Sequence, residues 1–151
     1  MKKFFIALAV SLLAICFSDE FKGFLGIDWG TGRKACVAAM KEKGWTHNID
    51  EERDKFYGKT YGGKSTESVL FGYDDEEKLR TVFVFFQKDG DADRVFAALA
   101  EKYDLGYMHR QDALFTSDLA TLFFIDVDHN VITITDFKYD RESDKVDESD
   151  L

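Results

Sequence analysis

The stretch "GKTYGGKS", residues 58–65, satisfies G-x-x-x-x-G-K-[ST] at every required position. In a phosphate-binding loop of that pattern, backbone N–H groups cradle phosphate oxygens, the lysine reaches the outer phosphates and the hydroxyl holds magnesium. The chemistry needs a buried strand before the loop and a helix after it, because the helix N-terminus supplies the N–H groups. Neither flank fits. "DEERDKFY" comes before and is too charged for a buried parallel strand, while "STESVLFGY" comes after and alternates as a strand does. The expected structure is a β-hairpin bend with Gly62-Gly63 as its turn, Tyr61 opposite Lys64 and Phe56 opposite Val69. An enzyme, a nucleotide-binding hydrolase using residues 58–65, is the alternative that the match keeps open.

Other residues with chemical potential do not assemble either. "GIDWGTG", residues 26–32, is similar to the first phosphate loop of the actin and sugar-kinase superfamily. That loop joins two strands, whereas this one leads into a helix, with Trp29 expected under its first turn. "DVDHN", residues 126–130, opens like a calcium loop, but Val131 stands where the glycine is needed and Phe137 where the closing acid belongs. His47, His109 and His129 are scattered singly, without ligand spacing. Cys36 lies in a helical apolar stripe, and "YDDEEK" reads as a solvated turn. No catalytic residue, cofactor site or metal site is expected.

The ends of the chain speak about location. Lys2 and Lys3 precede an apolar run over residues 4–15, interrupted by Ser11, the layout of a secretory signal peptide. The run is shorter than the roughly 20 residues of a membrane span. Two exits are open. Cys16 and Ser18 stand at the −3 and −1 positions of a cut before Asp19, which makes residues 1–18 the leader. Alternatively "LAIC" is a degenerate lipobox, residues 1–15 are the leader, and Cys16 carries a lipid. Either way the expected location is extracytoplasmic: periplasm, cell envelope or secreted. Contact with a membrane is expected only through a lipid on Cys16. Loss of residues 1–18 removes two lysines and moves the net charge from −9 to −11. So acidic a chain is a poor match for nucleic acid. Only Cys36 then remains, so no internal disulfide is available.

About 130 residues suffice for one core, and the chain has fifteen phenylalanines, all but Phe4, Phe5 and Phe17 beyond residue 18, and no proline. One domain is expected over residues 19–139. The charged stretch "DRESDKVDESDL", residues 140–151, reads as a disordered acidic tail. Residues 33–43 read as a helix with Thr31 as N-cap, Gly44 as its stop and Cys36, Val37 and Met40 as its stripe. Residues 92–103 read as a second helix, capped by Asp91 and buried through Val95, Phe96, Leu99 and Tyr103. Strand patterns fill most of the rest. In residues 119–137 a two-residue turn at His129-Asn130 sets Ile125 opposite Ile134 and Asp126 opposite Thr133, which separates an apolar from a polar face. The expected fold is an α+β two-layer sandwich: an antiparallel sheet of about five or six strands with two helices on one face, in the order α-βββ-α-βββ.

A sheet covered on one side has a second face. With a turn at residues 74–78, Val69, Phe71, Tyr73, Leu79, Phe83 and Phe85 point to the helices. Leu70, Val82, Val84 and Phe86 point away and form the expected partner-binding face. One residue less in the turn exchanges the two faces.

The order "FLGIDWGTGRKACVAAM", "FYGKTYGGKSTESVLFGYDDEEKLRTVFVFF", "VFAALAEKYD" resembles small secreted bacterial domains of the β-lactamase-inhibitor-protein type. In architecture it is also similar, more distantly, to the small lipoprotein of the β-barrel assembly machine. Phe24, Gly26, Ile27, Trp29, Gly30 and Thr31 match the opening motif of such domains. Tyr57, Gly58, Tyr61 and Gly62 match their Tyr/Gly strand, and Leu79, Lys102 and Tyr103 match later marks. Gly32 stands in place of the usual Ser, and Asp104 in place of the final Gly. The resemblance implies a binding or assembly module, one that binds or inhibits another envelope or secreted protein, without catalysis.

Overall fold

The computed structural model describes residues 20–50, 53–107 and 112–139. The expected leader with Cys16, the tail over residues 140–151, and His109 lie outside them. The described chain runs α1 (Arg33–Glu42), β1 (Thr46–Asp50), β2 (Arg53–Tyr57), β3 (Thr60–Tyr61), β4 (Lys64–Tyr73), β5 (Leu79–Phe86), α2 (Asp91–Lys102), β6 (Gly106–Tyr107), β7 (Ala113–Phe115), β8 (Thr121–Asp126) and β9 (Val131–Asp136). Eight strands lie in the order β1-β2-β4-β5-β9-β8-β7-β6, and β3 pairs with β4. All pairings are antiparallel.

The α+β class and the antiparallel sheet agree with expectation. The sheet is larger than five or six strands, and the order α-βββ-α-βββ is corrected by two additional strands before α2 and one after it. The additions have a common cause. Strands β1 and β2, "THNID" and "RDKFY", are too polar for a buried pattern, yet β1 is a sheet edge and needs little apolar surface. After α2, residues 106–107 and 113–115 form the short antiparallel pair β6 and β7.

The core lies between the helices and one sheet face. Phe56, Val69, Phe71, Val82, Val84, Phe123, Ile132 and Ile134 are wholly buried there. Helix α1 adds Cys36 and Met40 beside β1, and α2 adds Val95, Phe96 and Leu99 beside β5, β8 and β9. The N-terminal segment threads aromatic rings between them: Phe24 against Tyr61 and Phe71, Phe21 against Tyr103 and Phe123.

Neither expected N-cap caps. Gly32 stands at the start of α1, with no side-chain bond. The backbone substitutes: Arg33 N–H donates to Glu77 O, Leu79 N–H to Thr31 O and Gly30 N–H to Leu79 O, each at 2.9 Å. Trp29 reaches instead to β8, where its Nε1 donates to Thr121 Oγ1 at 2.9 Å. At α2 the cap position is Gly90, and the Ala92 N–H is met by Asn130 Oδ1 at 3.1 Å. Asn130 also donates through Nδ2 to the Phe86 and Lys88 carbonyls, at 2.9 Å each. This recruitment enlarges the β8–β9 turn to residues 127–130. Ile125 now pairs with Ile132, and Phe124 with Thr133. The shift from the expected register is two residues, so every side chain keeps its face.

One acid lies in the core layer. Asp54 is 1% exposed. Arg33 Nε donates to its Oδ2 at 2.9 Å, and His47 Nε2 lies 2.7 Å from its Oδ1. Burial pushes the carboxyl pKa up, but the bonds to Arg33 and His47 outweigh burial and hold it below the usual range. The carboxylate ties α1 to the β1–β2 pair. Truncating a buried ion-pair partner leaves the others uncompensated, so Asp54→Ala should cost about 3–5 kcal/mol at neutral pH. Because the native pKa is lowered, this contribution is complete above the unfolded value of about 3.9 and is lost as pH falls through the native one. Urea unfolding should therefore show the gap between wild type and variant shrinking from about pH 7 to about pH 2.5. A gap of constant size would show that the ionised carboxylate does not carry it.

Candidate functional site

Strand β5, "LRTVFVFF", has apolar residues at almost every position, so alternation alone cannot orient it. Tyr73 pairs with Leu79, as a turn at residues 74–78 requires, but Gly72 pairs with Thr81. Arg80 is thus an extra residue, a β-bulge, and beyond it the parity of β5 reverses. Leu79 points to the helices as expected. Val82, Val84 and Phe86, expected on the partner face, are corrected to the core: they are wholly buried or nearly so. Phe83 and Phe85, expected in the core, take the outer face with Leu70. Leu70 is the one member of the expected set that stands there. A signal for the bulge was present in Gly72, since an isolated glycine inside a strand often marks one.

The bulge is held by its own side chain. Arg80 Nε donates to Asp74 Oδ2 at 2.8 Å, and its Nη1 donates to Asp136 Oδ2 at 2.9 Å. The guanidinium also stacks on Tyr139, 3.8 Å from the ring centroid. Asp74 accepts the backbone N–H groups of Glu76 and Lys78 as well, and these bonds and Arg80 keep its pKa low against burial. Turn, bulge and the end of β9 form one polar knot.

Across the sheet the outer face carries a row through Lys55, Leu70, Phe83, Thr133 and Phe124. Leu70, Phe83 and Phe85 are half-buried and Phe124 is 39% exposed. Both helices pack on the opposite face. At one end the outer face is partly covered by a helical segment at residues 137–139, where Phe137 meets Phe115 with ring centroids 5.5 Å apart. Over the rest no described helix crosses it. Arg53 lies beside it on β2, and with Arg80, Phe83 and Tyr139 it lines a shallow cavity of about 370 Å³ above Gly72. The face is therefore an apolar stripe bordered by Arg53 and Lys55 on the β2 side and by Asp126 beyond Phe124 on β8.

The remaining chemical motifs take structural places. "GKTYGGKS" forms the β3–β4 bend. Gly62 and Gly63 have φ of 57° and 73°, Tyr61 pairs with Lys64, and Phe56 pairs with Val69, all as expected. A strand, not a helix, follows the lysine, so this loop does not lead into a helix N-terminus as a phosphate loop does. The Lys64 ammonium lies 3.9 Å from Asp91. Cys36 is wholly buried, and burial pushes its thiol up to about 11, which leaves little thiolate at neutral pH. Among the described residues no group of three or more His, Cys, Asp or Glu is arranged to hold a metal, and no helix is long and apolar enough to cross a membrane. In comparisons with known proteins, no family model, curated sequence or solved structure matches this chain.

Two mutational outcomes follow from this geometry. Phe86→Ala should cost about 3–5 kcal/mol, and Phe83→Ala less than half of that. Equal losses in denaturant unfolding would contradict the parity reversal at Arg80. At the bend, Gly63→Val should cost more than about 1 kcal/mol because a β-branched residue resists positive φ. Lys64→Ala should stay within about 0.5 kcal/mol. A melting temperature raised by ATP with magnesium, and that rise abolished by Lys64→Ala, would instead assign a phosphate-binding role.

Proposed function

We propose that this chain is a non-catalytic binding or adaptor domain of the cell envelope that docks another envelope or secreted protein on its outer sheet face. The observation that carries the reading is the row of Leu70, Phe83 and Phe124, flanked by Phe85, with the helical segment 137–139 at one end of the face and both α1 and α2 on the other side. Apolar side chains left in rows on a sheet, with a polar rim, are typical of partner sites. The rim on the β2 side is cationic through Arg53 and Lys55, which favours an acidic partner surface there. Export supports the location: the leader over residues 1–18, or a lipid on Cys16, would place the domain outside the cytoplasm. The resemblance to β-lactamase-inhibitor-like domains supports the same class, and inhibition of a secreted hydrolase is its narrower form.

A photo-crosslinking amino acid placed at Phe83 or Phe124 tests the face in intact cells of the native host. Covalent adducts to one discrete protein are expected from these positions and not from Lys41 on the exposed side of α1. Arg53→Glu should weaken that crosslink. No adducts from the sheet face, or equal adducts from Lys41, would remove the face as the docking surface.

A further inference from the structure

On the helix side, away from the outer face, lies a cavity of about 690 Å³. That volume lies within the range of about 300–1,000 Å³ common to small-molecule sites. Three segments enclose it: the N-terminal residues 20–26, the β3 strand with its turn, and α2. Phe21 and Leu25 form one wall and Val95 and Leu99 another, with Tyr61 and Tyr103 between. Leu25 has φ 52°, a conformation that L side chains rarely adopt, and its side chain lines the cavity.

Tyr61 is the informative residue. It is 9% exposed, packs its ring on Phe24, and makes no hydrogen bond with any described residue. Its ring is buried, but its hydroxyl is accessible: among the described residues the enclosed, unpartnered side-chain oxygen is that of Tyr73 and not of Tyr61. Burial and the nearby Tyr103 push its pKa up, so it remains a proton donor at any ordinary pH. The charged residues lining the cavity are Lys22, Lys102 and Glu20, and the lysines outnumber the acid. A largely apolar cavity lined by a tyrosine with an accessible hydroxyl and by more lysine than acid fits an apolar chain that ends in an anionic acceptor.

We propose that this cavity binds an acyl carboxylate, its chain between the Phe21–Leu25 and Val95–Leu99 walls and its carboxylate accepting a hydrogen bond from Tyr61. The site is separate from the outer sheet face and does not rest on the docking reading. Binding is non-covalent.

Calorimetric titration of the full chain with sodium hexanoate, octanoate and decanoate, each below its micelle concentration, tests the proposal. Affinity should rise about fourfold per added methylene until the cavity is filled, following about 0.8 kcal/mol per buried CH₂. Tyr61→Phe should lower it about tenfold, the scale of a hydrogen bond to a charged group. Alkylammonium ions of equal length should bind more weakly than the carboxylates. Ala98 lies exposed on α2 at this cavity, so Ala98→Trp should obstruct it without disturbing the core. Phe124→Ser, on the other side of the sheet, should leave binding unchanged. The absence of saturable binding, affinity independent of chain length, or binding that survives Ala98→Trp would overturn the proposal, whatever the crosslinking at Phe83 and Phe124 shows.

Discussion

The arrangement of the sheet depends on the bulge at Arg80. A strand as apolar as β5 has no preferred face, and one extra residue decides which half of its phenylalanines is buried. The ion pairs from Arg80 to Asp74 and Asp136 fix that residue in place, and Tyr139 covers its guanidinium. Without the bulge, Val82, Val84 and Phe86 would face outward and the larger Phe83 and Phe85 would have to fit beneath the helices. The core and the candidate docking face are thus two consequences of one local insertion.

Long-range polar ties do much of the positioning elsewhere. Asn130 sits in a hairpin turn yet serves the first turn of α2 and two carbonyls after β5. Asp54 connects β2 to α1 and to β1. Trp29 joins the loop before α1 to β8. Apart from the local His47–Asp54 contact, these ties link segments far apart in the chain, so the elements acquire their geometry only when the sheet assembles. The same dependence explains why the helix caps came from elsewhere in the chain, from Glu77 and Asn130, and not from the expected Thr31 and Asp91.

The two surfaces of interest differ in kind. The outer face is broad, shallow and flanked by cations on its β2 side, which suits a macromolecular partner. The cavity beside α2 has apolar walls and the Tyr61 side chain in its lining, which suits a small amphipathic molecule. They lie on opposite sides of the sheet, and α2 borders only the second.

Local patterning determined much of this protein. Alternation placed β4, β8 and β9, the 3.6-residue stripes of Cys36–Met40 and Val95–Leu99 placed the helices, and Gly62-Gly63 placed a bend in register. These succeed because each follows from neighbours within a few residues. The edge strand β1 was not legible, and of β2 only the Phe56–Val69 pairing was, since the buried acid of β2 is stabilised by Arg33, a residue on another element. The docking face was misread for a related reason: β5 is apolar on both sides, and its parity was set by Asp74 and Asp136 gripping Arg80. Tertiary structure alone decided that, because the two carboxylates come together only when β9 lies beside β5.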